Sequence, residues 1–274
     1  MQSIVVITGA ASGLGWALVR QFLDKGYFVY LVDIQRALLE ERLEGINDVG
    51  QGALTDSVVA DVTKPEDLDK LVKVIEAKHN RIDVLINNAG ITHRSLIDQT
   101  DLSVFKKVMS VDYEGPVALT LKCLPLLKKS NGTVINISSM AGWMPVIGRA
   151  GYCAAKSAMH QFFEVLRCEL REKGVSVLMT YPSFVDTPIE QAALGGDGEK
   201  AQHQRSTVGR IATADFIAEQ IFHAYKNKKE RLFPDRFTYL ASVLYKLWPS
   251  LFLRLMTNKF KRDLESPLET KKQA

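Results

Sequence analysis

Cysteine is scarce. Cys123, Cys153 and Cys168 are the only three in 274 residues, with no CxxC pair and no metal-ligand spacing. That excludes a disulfide framework and a zinc site, and it points to buried thiols in a reducing, cytoplasmic setting. A surplus of one charge is also lacking. The 35 Lys and Arg residues stand against 31 Asp and Glu, interspersed, for a net +4. No nucleic-acid footprint is expected from such a distribution. The start of the chain has no leader signature: Met1-Gln2-Ser3 enters an apolar run directly, without a basic region or a small-residue cleavage site. Repeats, low-complexity tracts and linkers are missing too. So is a long unbroken hydrophobic run, because the most apolar stretch, 237–256, is interrupted by Lys246, Pro249 and Arg254.

What is present is a 46% hydrophobic chain, enough for one large α/β core. Strand-length apolar runs at 4–8, 28–32, 57–60, 84–87, 133–137 and 175–180 alternate with amphipathic stretches at 13–25, 34–43, 65–78, 113–128 and 152–172. The runs are apolar on consecutive residues, as in strands covered on both faces. This predicts a single-domain α/β fold of the Rossmann type: a doubly wound parallel sheet over 1–235 with a C-terminal helical extension over 236–274. Ligands of such sheets lie beyond the carboxyl ends of the strands.

The first strand leads into Thr8-Gly9-Ala10-Ala11-Ser12-Gly13-Leu14-Gly15 and then a helix. Gly9 makes the turn out of the strand. Gly13 opens the backbone to a pyrophosphate, and Gly15 lets the helix pack close to the sheet. The helix N-terminus, with Ser12 and Leu14 beside it, offers free N–H groups and a positive dipole end to the anion. The spacing is GxxxGxG, without the Gly-Lys-Ser/Thr ending of a nucleoside-triphosphate loop. Asp33, closing the second strand, suits the hydroxyls of an adenosine ribose and repels a 2′-phosphate, which favours NAD with NADP as the alternative. Its competing role is the N-cap of the next helix.

Tyr152 and Lys156 stand four residues apart, on one helix face. An ammonium beside a phenol favours the phenolate and lowers a pKa that is ordinarily about 10. Ser139, after the strand at 133–137, is placed to donate to a substrate oxygen. Tyr225 and Lys229 share the same spacing, but no serine or threonine stands thirteen residues earlier, so they read as packing.

Together, the glycine loop, Asn87-Asn88-Ala89-Gly90, Ser139 and Tyr152-xxx-Lys156 resemble the short-chain dehydrogenase/reductase family over residues 3–190. The resemblance implies a nicotinamide cofactor, hydride transfer between an alcohol and a carbonyl, and a homodimer or homotetramer. It implies Tyr152 as acid/base, Ser139 as the group polarising the substrate oxygen, and Lys156 as tuner of the phenol and holder of the nicotinamide ribose. It places Asp61 and Val62 beside the adenine, and Asn87, Asn88, Ala89 and Gly90 along the cofactor cleft. Pro182, Val185 and Thr187 fall where similar enzymes meet the carboxamide. The family's helix asparagine falls on Asp112, a fourth member able to pair with Lys156. Ser183 stands where glycine is frequent.

Residues 140–144, Phe184 and the segment after Ile189 are expected to form a wall for a bulky apolar alcohol or ketone, of steroid, retinoid or acyl type, with Thr92, His93 and Arg94 nearby; for Trp143 and Met144 plain packing is an equal reading. Arg94 has two readings, a carboxylate binder and a solvated charge, of which the second is preferred. The polar, glycine-rich stretch 189–209 reads as a mobile loop and the last residues as frayed. Three accounts fit 237–256: a cap on the substrate mouth, a subunit contact, or a peripheral membrane contact. In the last, Lys246, Arg254, Lys259, Lys261 and Arg262 meet headgroups with Trp248 at the boundary. The alternative to an oxidoreductase is a catalytically silent NAD(P)-binding sensor or scaffold. A sugar-nucleotide epimerase is disfavoured by the glycine spacing.

Overall fold

β-Branched and aromatic runs build seven parallel strands. The computed structural model describes residues 2–202 and 211–260. Its strands are β1 (Ile4–Thr8), β2 (Phe28–Asp33), β3 (Thr55–Val59), β4 (Val84–Asn87), β5 (Thr133–Ile137), β6 (Ser176–Thr180) and, after the short β7 (Phe184–Asp186) and β8 (Ile211–Thr213), β9 (Arg231–Leu232). The main sheet runs β3-β2-β1-β4-β5-β6-β9, and β7 and β8 form a second, two-stranded parallel sheet. Parallel neighbours need crossovers, and helices supply them. They are α1 (Gly13–Leu23), α2 (Arg36–Asp48), α3 (Pro65–Lys78), α4 (Leu102–Met109), α5 (Gly115–Ser130), α6 (Ala150–Leu170), α7 (Ala214–Lys226), α8 (Arg236–Leu247) and α9 (Pro249–Lys259).

Alternate residues of each central strand feed two cores, one on each face of the sheet. Val5 and Ile7 of β1 pack with Leu18 and Phe22 of α1 and Ile221 of α7. Ile4 and Val6 face Leu71 of α3, Leu119 of α5 and Phe163 of α6. Removing a fully buried ring such as Phe163 would cost about 3–5 kcal/mol through lost transfer energy and the cavity left behind. The chain runs outward from β1 in one direction and restarts at β4 in the other. The sheet therefore parts at the carboxyl ends of β1 and β4, where α/β sheets place their ligands.

Several elements depart from the expected pattern. The single helix expected at 113–128 is a longer assembly: α4, then a π-helical turn over Ser110–Glu114, then α5. A π turn inserts one extra residue and shifts the helical phase, which defeats a 3.6-residue reading. The half-buried β3 is the sheet edge, not a strand covered on both faces. Of the cysteines only Cys123 is buried; Cys153 is half-buried and Cys168 lies exposed on α6. The stretch expected as a loop is partly organised: Leu194 bridges both His93 and Lys200. Its residues 203–209 lie outside the described residues, as do 261–274 of the tail.

Candidate active site

At the parting of the sheet lies a cleft of about 760 Å³. Its first half is built on the ends of β1, β2 and β3. Gly9 and Gly13 hold φ of +64° and +52°, the left-handed region that favours glycine. A Cβ on Gly15 would stand 1.9 Å from the carbonyl oxygen of Gly9, so α1 presses directly onto the end of β1. Gly15 thus lies behind the cleft, while Gly9, Ser12, Gly13 and Leu14 line it. The Ser12 side chain does not cap α1, and the first turn carries no acid. The positive end of the helix dipole therefore opens on the cleft.

Asp33 lines the same half. Its Oδ2 accepts the Ala11 N–H at 3.0 Å and its Oδ1 the Gln35 N–H at 3.0 Å. Gln35, not Asp33, is the N-cap of α2. Each carboxylate oxygen keeps a free lone pair for a ligand hydroxyl. Asp61 accepts the Thr63 N–H at 2.9 Å and its hydroxyl at 2.7 Å, closing the turn after β3 with Val62 beside it on the cleft. Asn88 donates to the carbonyls of Thr8 and Gly9 at 2.9 and 3.1 Å, and with Ala89 and Gly90 it forms the floor. Asn87, expected to line the cleft, turns instead into the core. It donates to Thr120 and Asn136 there, because alternate residues of a strand face opposite sides.

The second half gathers around α6. Tyr152 and Lys156 face the cleft from its first turns, and Ser139 follows β5. Ser139 Oγ accepts the Ala141 N–H at 3.1 Å, which leaves its own proton to donate. A Cβ on Gly142 would lie 2.7 Å from the Lys156 carbonyl, so the segment after Ser139 is pressed against α6. The Lys156 Nζ lies 5.6 Å from the centre of the Tyr152 ring and donates to the Ile137 carbonyl at 3.1 Å. It also stands 3.2 Å from Asp112 Oδ2. The π turn aims Asp112 inward, where it is fully buried and its Oδ1 accepts the Ile91 N–H at 2.8 Å.

The electrostatics correct one expectation. Burial is the largest influence on the Tyr152 phenol and raises its pKa above the ordinary value, with the Asp112 carboxylate adding to the rise. Lys156, a hydrogen bond from Ser139 and Arg149 all pull downward without overcoming it. Burial works against the Lys156 ammonium, yet Asp112 and Tyr152 together hold its pKa above the usual lysine range. Burial pushes the Asp112 carboxyl up against the opposing pull of Lys156.

Beyond Ser139 and Tyr152 the walls are Met140, Ala141, Met144, Val146, Phe184 and Ile189, largely apolar, with Pro182, Val185 and Thr187 joining the two halves. Trp143 turns away into a cluster with His160, Tyr181 and Phe233. Arg94 is not a solvated charge. It pairs with Glu190 at 3.0 Å, and Arg149 shares that carboxylate at 2.6 Å while donating to Thr92 at 2.9 Å. Arg149 and Glu190 both line the cleft and had no motif to announce them. His93 is buried and accepts the Gly151 N–H at 2.9 Å, seating the start of α6. Tyr225 packs against Phe22 and Phe222, as its lack of a partner serine suggests.

Residues 3–196 match the family model described as short chain dehydrogenase. The dehydrogenase/reductase SDR family member 7B of Rattus norvegicus is 33% identical over 272 residues, spanning 96% of this chain and 83% of that protein. The 11-beta-hydroxysteroid dehydrogenase A of Sesamum indicum is 32% identical over 217 residues, 78% of this chain and 61% of that one. Among solved structures, an alcohol dehydrogenase from the archaeon Thermococcus sibiricus, complexed with 5-hydroxy-NADP, superposes with a TM-score of 0.73 at 22% identity. It covers 85% of this chain and 95% of its own.

Proposed function

This chain belongs to the short-chain dehydrogenase family, and from that premise we propose that it transfers a hydride between NAD(H) and a lipophilic secondary alcohol or ketone. The observation that supports this most is the convergence of Ser139, Tyr152 and Lys156 on one cleft whose other half is a dinucleotide cradle. The residues fit the cofactor. A pyrophosphate meets the open end of α1, where a Cβ on Gly13 would crowd Thr187 at 3.1 Å. The Asp33 carboxylate suits two ribose hydroxyls and disfavours a 2′-phosphate. When bound, the nicotinamide supplies the hydride acceptor or donor.

The rest is work for the chain's own side chains. Ser139 donates its proton to the substrate oxygen, and Tyr152 exchanges a proton with that same oxygen. Two donors aimed at an oxygen that gains charge stabilise the transition state more than the ground state. Lys156 keeps a positive charge beside the phenol, and Asp112 and the Ile137 carbonyl keep that ammonium in place. The methionine, valine, isoleucine and phenylalanine walls favour an apolar substrate body, in keeping with the hydroxysteroid relative.

A second reading, nucleotide binding without turnover, draws on one observation: the carboxylate of Asp112 competes with the phenol for Lys156. One experiment separates the two. Hydroxysteroids, retinol and medium-chain secondary alcohols are screened with NAD and NADP by absorbance of the reduced nicotinamide. Turnover that Tyr152→Phe abolishes while nucleotide affinity persists supports the oxidoreductase. Tight nucleotide binding with no turnover on any substrate supports the sensor.

A further inference from the structure

α8 is amphipathic the wrong way round for a helix in water. Its buried residues are Thr238 and Ser242, both polar. Phe237, Leu240 and Leu247, spaced three and seven residues apart on one face, are 57%, 64% and 61% exposed. α9 continues the surface. It leans on α8 through Tyr245 and Phe252, whose rings lie 5.3 Å apart, and it has no buried residue. Leu251 and Leu255, one turn apart, and Leu253 are exposed, and Trp248 at the corner of the hairpin is 60% exposed. Exposed apolar side chains gathered this densely on two adjoining helices of a folded chain mark a contact.

Charge says with what. Residues 236–260 contain Arg236, Lys246, Arg254 and Lys259 and neither Asp nor Glu. Lys246 is spoken for, lying 3.4 Å from the centre of the Trp143 ring. The others are exposed. Asp235, the carboxylate just before this segment in the chain, is engaged within the fold, accepting from Ser183 at 3.1 Å and Thr238 at 2.9 Å. We infer that the α8–α9 hairpin lies in the headgroup region of an anionic lipid bilayer, with Phe237, Leu240, Leu247, Trp248, Leu251 and Leu255 entering the acyl boundary.

Exposed leucines and aromatics beside cations without acids are the composition of interfacial helices. Two-fold pairing with a second copy would instead bring two sets of Arg236, Arg254 and Lys259 into one interface, with no Asp or Glu of 236–260 to oppose them. Spanning is excluded by length. Twelve residues of helix reach roughly 18 Å, short of a hydrocarbon core of roughly 30 Å. No described helix is long and apolar enough to cross a membrane. Thr238 of α8 lines the cleft, so docking would place the cleft mouth at the lipid surface.

The test is flotation of the full chain with vesicles of phosphatidylcholine plus phosphatidylserine, against pure phosphatidylcholine vesicles. It needs neither substrate nor nucleotide, so it is independent of the oxidoreductase reading. Binding to the anionic vesicles is expected, weakened by salt and about tenfold or more lower for Leu251→Glu/Leu255→Glu. Arg254→Glu/Lys259→Glu, which spares the apolar face, should lose the preference for anionic lipid even if the leucine variant fails to fold. Brominated lipid should quench Trp248 fluorescence, judged against Trp248→Phe. Failure of the wild-type chain to float overturns the inference. So does an oligomer in lipid-free solution that the leucine variant dissociates, because a second copy would then cover the face.

Discussion

The ammonium of Lys156 lies 3.2 Å from a carboxylate oxygen of Asp112, and both groups are buried beneath Tyr152. A charge pair taken out of water persists only with good geometry and further hydrogen bonds. Here the Ile137 carbonyl serves the ammonium and the Ile91 N–H serves the carboxylate. The pair places opposite charges under one phenol, and their influences on it are opposed.

Asp112→Asn tests that balance. Asparagine keeps an acceptor for the Ile91 N–H but removes the negative charge that raises the Tyr152 pKa. The rise of kcat/KM with pH in alcohol oxidation should move to lower pH, with activity kept or increased. A well-folded, inactive Asp112→Asn would refute this role.

Arg149→Met should move the same limb the other way, since the Arg149 guanidinium lowers the phenol pKa. The pair of variants gives opposite displacements of one pH profile. Changes of equal sign would mean that Tyr152 is not the titrating group.

Asp33→Ser should shift cofactor choice. The substitution withdraws the carboxylate that suits a free 2′-hydroxyl and repels a 2′-phosphate. The ratio of kcat/KM for NADP over NAD should rise by about tenfold or more, since one repelled charge is worth on the order of 1.4 kcal/mol or more. Losing the hydrogen bonds to Ala11 and Gln35 also lowers stability, but stability does not move the ratio.

Three glycines should respond differently to alanine. Gly15→Ala collides with a backbone oxygen and should destabilise by about 1–3 kcal/mol, seen as a lower Tm. Gly13→Ala must adopt φ +52° and meets Thr187 and Pro188 across the cleft, so it should weaken nucleotide binding as well as lower Tm. Gly45, on the exposed side of α2 with open space around it, should become about 1 kcal/mol more stable as alanine.

Stability should fall in mild acid. Burial and Arg149 push the His93 pKa down to about 4, and burial lowers His79 and His160 in the same direction. Between about 4 and the unperturbed value near 6.5, the unfolded chain binds more protons, so stability rises with pH across this window. His93 contributes up to about 3 kcal/mol above it. Denaturant midpoints at pH 5 and 7 check the sign, and His93→Gln should flatten the difference.

The residues that could be read in advance are those whose role is local. Val5–Ile7 and Val134–Ile135 announce buried strands, and Gly9, Gly13 and Gly15 announce a close approach of backbone. Tyr152, Lys156 and Ser139 were legible because helix spacing and a preceding strand bring them together. What escaped depends on contacts between distant segments. The π turn that buries Asp112 obeys no 3.6-residue period. β9 is two residues long, too short to show a pattern. Arg149 and Glu190 stand 41 residues apart, and only the fold makes them partners. The raised phenol pKa reflects desolvation by the whole cleft, which a nearby lysine does not report.

The amide of Asn88 grips the carbonyls of Thr8 and Gly9 across the parting of the sheet. The end of β1 and the first residue of the glycine turn are thus clamped by a neighbouring strand's end rather than by the turn itself. Heating should leave the width of the nucleotide seat unchanged until the strands separate, so the ability to hold nucleotide and the main unfolding transition should vanish together in a single step.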